Sequence, residues 1–128
     1  MGYYTYFSME ARHIKDRAEY DSIMDYMKNH ELMQHEGEYG IFDEGKFYEE
    51  DGIAYFDAYD EAKWYDHTYD MLKLSKAFPE VMFKLSGDGE ERDDIWHEYF
   101  LNGNSELCTA QIIYPEPTEI DWDDKFIT

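Results

Sequence analysis

Carboxylates and tyrosines are the side chains with which this chain could do chemistry. Asp and Glu number 31 against 11 Lys and Arg, a formal net charge of −20, and there are 13 Tyr. The acids are grouped. Residues 36 to 70 hold Glu36, Glu38, Asp43, Glu44, Glu49, Glu50, Asp51, Asp57, Asp60, Glu61, Asp66 and Asp70 against Lys46 and Lys63, which is half of the net excess. A second group, Asp88, Glu90, Glu91, Asp93 and Asp94, surrounds Arg92, and a third is the run Glu119 to Asp124. Any one group reads as a solvated loop. Three together read as a surface for a basic partner, because carboxylates at strand intervals of roughly 6.6 Å could take phosphate positions in a basic cleft. Tyr and Trp are the usual anchors of protein interfaces.

The same charge excludes other classes. Nucleic acid is bound mainly by cations that neutralise phosphates, so direct nucleic-acid binding is not expected. An anionic membrane surface is disfavoured for the same reason. There is no Gly-rich phosphate loop, no G-x-S-x-G elbow and no C-x-x-C pair. The five histidines, His13, His30, His35, His67 and His97, form no metal-binding pair at helical spacing, and the 88–94 run lacks the ligand spacing of a calcium loop. With 31 acids, neighbouring carboxylates arise by chance and assign no acid–base catalyst. The expectation is a non-enzymatic protein with no cofactor. Cys108, the single cysteine, is expected in a buried position on one strand face with Ala110, Ile112 and Tyr114.

Hydrophobic periodicity indicates the elements that position these groups. Tyr3 to Ala11 alternates as a strand, with Phe7 and Met9 on one side and Tyr4, Tyr6 and Glu10 on the other. Tyr20, Ile23, Met24 and Met27 make a helical stripe from Asp16, a plausible N-cap, to about His30. Extended runs follow at Tyr39–Phe42 and Ile53–Tyr59, with Gly45 and Asp51-Gly52 as hairpin-turn residues between them. Asp66 is expected to cap a second helix over His67–Ala77, which Pro79 ends. Val81, Phe83 and Leu85 mark the next strand, and Gly87-Asp88-Gly89 a turn. Ile95–Leu101 and Glu106–Tyr114 read as two further strands joined at Asn102-Gly103-Asn104.

The order β-α-β-β-α-β-β-β predicts an α+β domain. Its first six elements match the ferredoxin-like split βαβ core, with a C-terminal β-hairpin added. One domain is expected over 1–115, with an acidic tail over 116–128 whose Trp122 and Phe126 pack back or dock elsewhere. The open sheet face is expected to be a tyrosine platform edged with carboxylates, with Tyr55, Asp57 and Tyr59 on it beside Tyr4 and Tyr6. No signal peptide and no apolar run of membrane length is present, so a cytoplasmic setting is expected.

The run KWYDHTYDMLKLSKAFPEVMFKLSGDGEERDDIWHEYFLNGN, Lys63 to Asn104, resembles a group of small acidic proteins of phages and mobile elements. It resembles more distantly the C-terminal part of YubB-like ferredoxin-fold proteins. Trp64, Phe78-Pro79, Gly87 to Glu91, Trp96, Tyr99 and Gly103 carry the likeness, which covers about a third of the chain. What the resemblance implies is a ferredoxin-like core and an anti-defence role, of anti-CRISPR or anti-restriction type, in a host cell. The expected partner is then a basic nucleic-acid-binding host protein, a CRISPR effector or nuclease, gripped by Asp43, Glu44, Glu49, Glu50, Asp51, Tyr55, Asp57, Tyr59, Asp60, Glu61, Asp88, Glu90, Glu91, Asp93 and Asp94. The alternative is a small-ligand module, such as a sponge for a signalling nucleotide, or a metal-binding module.

Overall fold

A computed structural model describes residues 3–29, 34–35, 39–40, 42, 45–58, 61–111 and 113–119. The chain is α+β. Strand β1 (Thr5–Arg12) is followed by helix α1 (Arg17–Asn29), a two-residue ladder of β2 (Gln34–His35) with β3 (Tyr39–Gly40), and a hairpin of β4 (Gly45–Tyr48) and β5 (Ile53–Asp57). Helix α2 (His67–Ala77), then β6 (Met82–Gly89), β7 (Ile95–Leu101) and β8 (Asn104–Thr109) follow. Six strands form one sheet in the order β4-β5-β1-β6-β7-β8, antiparallel at every step.

Period-two burial sets which face each residue takes. Phe7, Met9, Ala11, Ala54, Phe56, Phe83, Leu85, Trp96 and Phe100 are buried under the helices with Tyr20, Ile23, Met27, Met71 and Leu74. Each fully buried Phe or Leu contributes about 1.5–3 kcal/mol relative to an exposed position. Phe7 sits among aromatic neighbours, 5.2 Å from Trp64 and 6.2 Å from Trp96 in edge-on contact. Asp16 caps α1 as expected: the Glu19 amide donates to Asp16 Oδ1, and Glu19 Oε1 accepts from the Lys15 amide. Asn102 and Gly103 both take positive φ in the β7–β8 turn, the conformation that Asn-Gly hairpins favour.

Six expectations are corrected. The strand that pairs with β5 is Gly45–Tyr48, not Tyr39–Phe42. Gly45 is in a strand because a Cβ there would lie 2.6 Å from the Phe56 ring, while Phe47 stacks on Tyr20 at 5.0 Å. Gly87-Asp88-Gly89 continues β6 and is not a turn, since the Trp96 indole occupies the place of a Gly87 side chain; the chain turns at residues 90–94. The last strand stops at Thr109 rather than Tyr114, and Cys108 is exposed because it pairs with exposed His97 on the open face of the sheet, away from the helices. Asp66 stands at the α2 N-cap, but its side chain makes no capping hydrogen bond.

Candidate functional site

The sheet has two ends, marked by the first and last residues of β1, and the acids are divided between them. At the Arg12 end, the β4–β5 turn exposes Glu49, Glu50 and Asp51, and the Ile14 amide donates to Gly52 O. At the Thr5 end, two segments far apart in sequence meet. Thr5 bridges to Ala62 and pairs with Gly89, and Asp57 pairs with Ser8, so 57–58 with 61–66 on one side and 88–94 on the other flank the same strand. Asp57, Glu61, Asp66, Asp88, Glu90, Glu91 and Asp93 are exposed there, and Asp70 and Asp94 are half-buried. Lys63 and Arg92 are the described cations of these segments, and Lys63 lies 4.8 Å from the Tyr4 ring centroid. Eight strand residues separate the two ends by about 25 Å. The acids called as one partner surface therefore split into a small group and a larger acidic pole. Asp43, Glu44, Tyr59 and Asp60, and the tail from Ile120 with Trp122 and Phe126, lie outside the described residues.

Tyr3 holds the pole together. Its amide donates to Tyr65 Oη at 2.7 Å, and its hydroxyl donates to Asp94 Oδ2 at 2.6 Å while accepting from the Glu91 amide at 3.0 Å. The Tyr4 amide donates to Glu90 Oε1 at 3.0 Å. The Asp94 carboxylate raises the Tyr3 phenol above its ordinary range, because ionising the phenol would place two anions in contact. Glu90 and Asp94 thus shape the turn, leaving Asp88, Glu91 and Asp93 to face outward. Tyr65 stands 65% exposed beside them, with Tyr69 and Tyr6 also exposed. Sequence reasoning missed Tyr3 and Tyr65, since nothing in a single strand of residues signals a clamp made across 62 and 91 positions.

The open sheet face carries exposed Tyr6, Tyr48, Tyr55 and Tyr99 with Asp57 and Asp88, and cations stand among them. One row across all six strands reads Lys46, Tyr55, Glu10, Lys84, Tyr99, Glu106. Arg12 and Lys84 both pair with Glu10. Tyr55 is 42% exposed, as expected, but its neighbours along the sheet are cations as well as acids. Asp57 and Asp88 stand on strand positions of this face, beside small residues such as Ser8 and Ser86.

Beneath the pole, at the start of α2, is a buried polar group. Glu98 is 5% exposed and accepts from Thr68 Oγ1 at 2.8 Å, with His67 Nδ1 3.8 Å away. His67 stacks on Trp96 at 4.9 Å, and the Trp64 indole donates to Asp70 Oδ2 at 2.7 Å. Burial pushes His67 below the ordinary imidazole range, against the opposing pull of Glu98, Asp70 and Asp66. The folded chain therefore takes up this proton less readily than the unfolded chain does. The contribution of His67 to stability is present above the unfolded value near 6.5 and is lost as pH falls through the lower folded value. Chemical unfolding of wild type and His67→Gln at pH 7.5 and pH 5 checks this. The wild type should lose stability relative to the variant on acidification, and a constant difference would refute it.

Among the described residues, no group of three or more His, Cys, Asp or Glu is placed to hold a metal ion. His97 and Glu98 lie on opposite sheet faces, as alternation predicts. No described helix is long and apolar enough to cross a membrane. No protein-family model, curated protein or solved structure matches the chain.

Proposed function

We propose that this chain is a non-enzymatic inhibitor, of phage or mobile-element origin, of a nucleic-acid-handling host defence protein. Its acidic pole would occupy a basic groove in place of nucleic acid, with Tyr65, Tyr69 and Tyr6 as aromatic anchors. The observation that carries this reading is the convergence of two distant acidic segments on one end of the sheet, held by Tyr3 and opposed by two cations. A like-charged cluster of this size costs folding free energy through self-repulsion, so its upkeep favours a use in binding. We also assign the sheet to the ferredoxin-like split βαβ arrangement. The order β4-β5-β1-β6, with α1 between β1 and β4 and α2 between β5 and β6 in sequence, supports it, and β7–β8 is then the added C-terminal hairpin. The anti-CRISPR or anti-restriction role rests on the sequence resemblance alone.

Affinity capture from bacterial lysate tests the reading. The immobilised chain should retain a basic nucleic-acid-binding protein at 50 mM salt, release most of it at 300 mM, and release it to added duplex DNA. A captured protein indifferent to both salt and DNA would overturn it.

A further inference from the structure

Strand β8 closes one side of the sheet, and its outer edge pairs with no described strand. Natural edge strands are protected by lysine, proline, bulges or covering segments. β8, Asn104-Ser-Glu-Leu-Cys-Thr109, has no lysine, proline or bulge, no described segment covers it, and it carries a single charge, Glu106, in a chain of −20. All six residues are exposed, and Leu107, on the helix side of the sheet, is 58% exposed.

The backbone phase of this edge follows from one bond. The Ala110 amide donates to Ile95 O, so Ile95 and Ala110 are a hydrogen-bonded pair of the β7–β8 ladder. Hydrogen-bonded pairs alternate along an antiparallel ladder. Cys108, Glu106 and Asn104 therefore turn their backbone groups towards β7, and Ser105, Leu107 and Thr109 turn theirs outward. Three donors and three acceptors stand on the free edge, centred on the only large apolar side chain of the strand.

We propose that β8 is a strand-addition edge whose occupant is β8 of a second copy of this chain, paired antiparallel about a two-fold axis through Leu107. That register alone matches all the outward groups: Leu107 with Leu107 of the second copy, and Ser105 with Thr109 in both directions, six hydrogen bonds in all. It packs the two Leu107 side chains together on the helix side. It also sets Glu106 opposite Cys108 rather than opposite its own copy. Charge complementarity favours the antiparallel sense. The β7–β8 turn rests on Lys76, with Lys73 one turn earlier on α2, at the Arg12 end. Two-fold pairing lays that end of one copy beside the acidic end of the other.

Sedimentation across protein concentration at 50 and 500 mM salt tests this. A dimer is expected that tightens with salt, because each copy carries −20 overall. Leu107→Lys should weaken it at least tenfold with unchanged circular dichroism. Ser105→Pro, which removes an outward amide and leaves the β7 ladder whole, should do the same. In a Leu107→Cys, Cys108→Ser chain, oxidised glutathione should link the copies, since a hydrogen-bonded pair brings Cα atoms to about 5.5 Å, within disulfide reach. The native chain should not crosslink, as the two Cys108 Cα atoms would be about 8 Å apart by strand spacing. A monomer at every concentration, a dimer indifferent to Leu107→Lys, or ready crosslinking through native Cys108 would each overturn the proposal.

Discussion

Reversing Asp88, Glu91 and Asp93 to lysine is expected to cut affinity for the captured partner by at least about a hundredfold at 50 mM salt. These three are exposed at the acidic pole, and their side chains make no hydrogen bond among the described residues, so the fold should tolerate the change. Each reversal converts an attraction of about 1 kcal/mol in a water-like dielectric into a repulsion. Three together exceed about 3 kcal/mol, which is more than a hundredfold in affinity. Reversing Glu49, Glu50 and Asp51 is the control. They lie at the other end of the sheet, about 25 Å away by strand rise, and should cost less than tenfold. Titration calorimetry at 50 and 500 mM salt distinguishes the two. Equal losses from both triplets would mean that the net charge, rather than the pole, is recognised. A larger loss from the 49–51 triplet would move the site to the β4–β5 turn.

The second large effect concerns stability. Thr68→Val removes the hydroxyl that donates to buried Glu98 and is expected to cost about 2 kcal/mol. For a domain of this size, that is a fall in Tm of roughly 8 °C. The cost comes from a carboxylate left out of water with its donor gone, not from lost volume, since Val and Thr are close in size. Adding Glu98→Leu to Thr68→Val should therefore recover most of the loss, because two apolar partners need no compensation. Calorimetric melting of the two single variants and the double variant completes the cycle. Strictly additive losses would show that the two side chains are uncoupled, and that the 2.8 Å bond contributes little.

Alternation makes the layers legible in the sequence. Phe7 and Met9 against Tyr6, and Ala54 and Phe56 against Tyr55, take the faces their spacing predicts. The α2 limits at His67 and Ala77, with Pro79 beyond them, also follow from local chemistry. Glycines misled. Gly45 and Gly87 look like turn residues, yet each is in a strand because an aromatic ring, Phe56 or Trp96, lies where its side chain would be. That ring comes from a neighbouring strand, and local sequence carries no sign of it. Cys108 failed for a related reason: apolar alternation marks a face as suited to burial, but pairing with β7 decides which face that is, and Cys108 lies beside His97 on the open one. The acids of the candidate site could each be named from composition. Their division between the two ends of the sheet depends on β1 pairing with β5 and β6 at once, which no single segment contains.

The central place of β1 also has a consequence for synthesis. β1 leaves the ribosome before every strand it pairs with, and its partner β6 begins on the order of 80 residues later. At roughly 5–20 residues per second, β1 and its tyrosines wait for about 4–16 s with one edge unoccupied. The nascent chain is most prone to mispairing in that interval, and its strong like-charge repulsion then acts as a solubilising device before it acts as anything else.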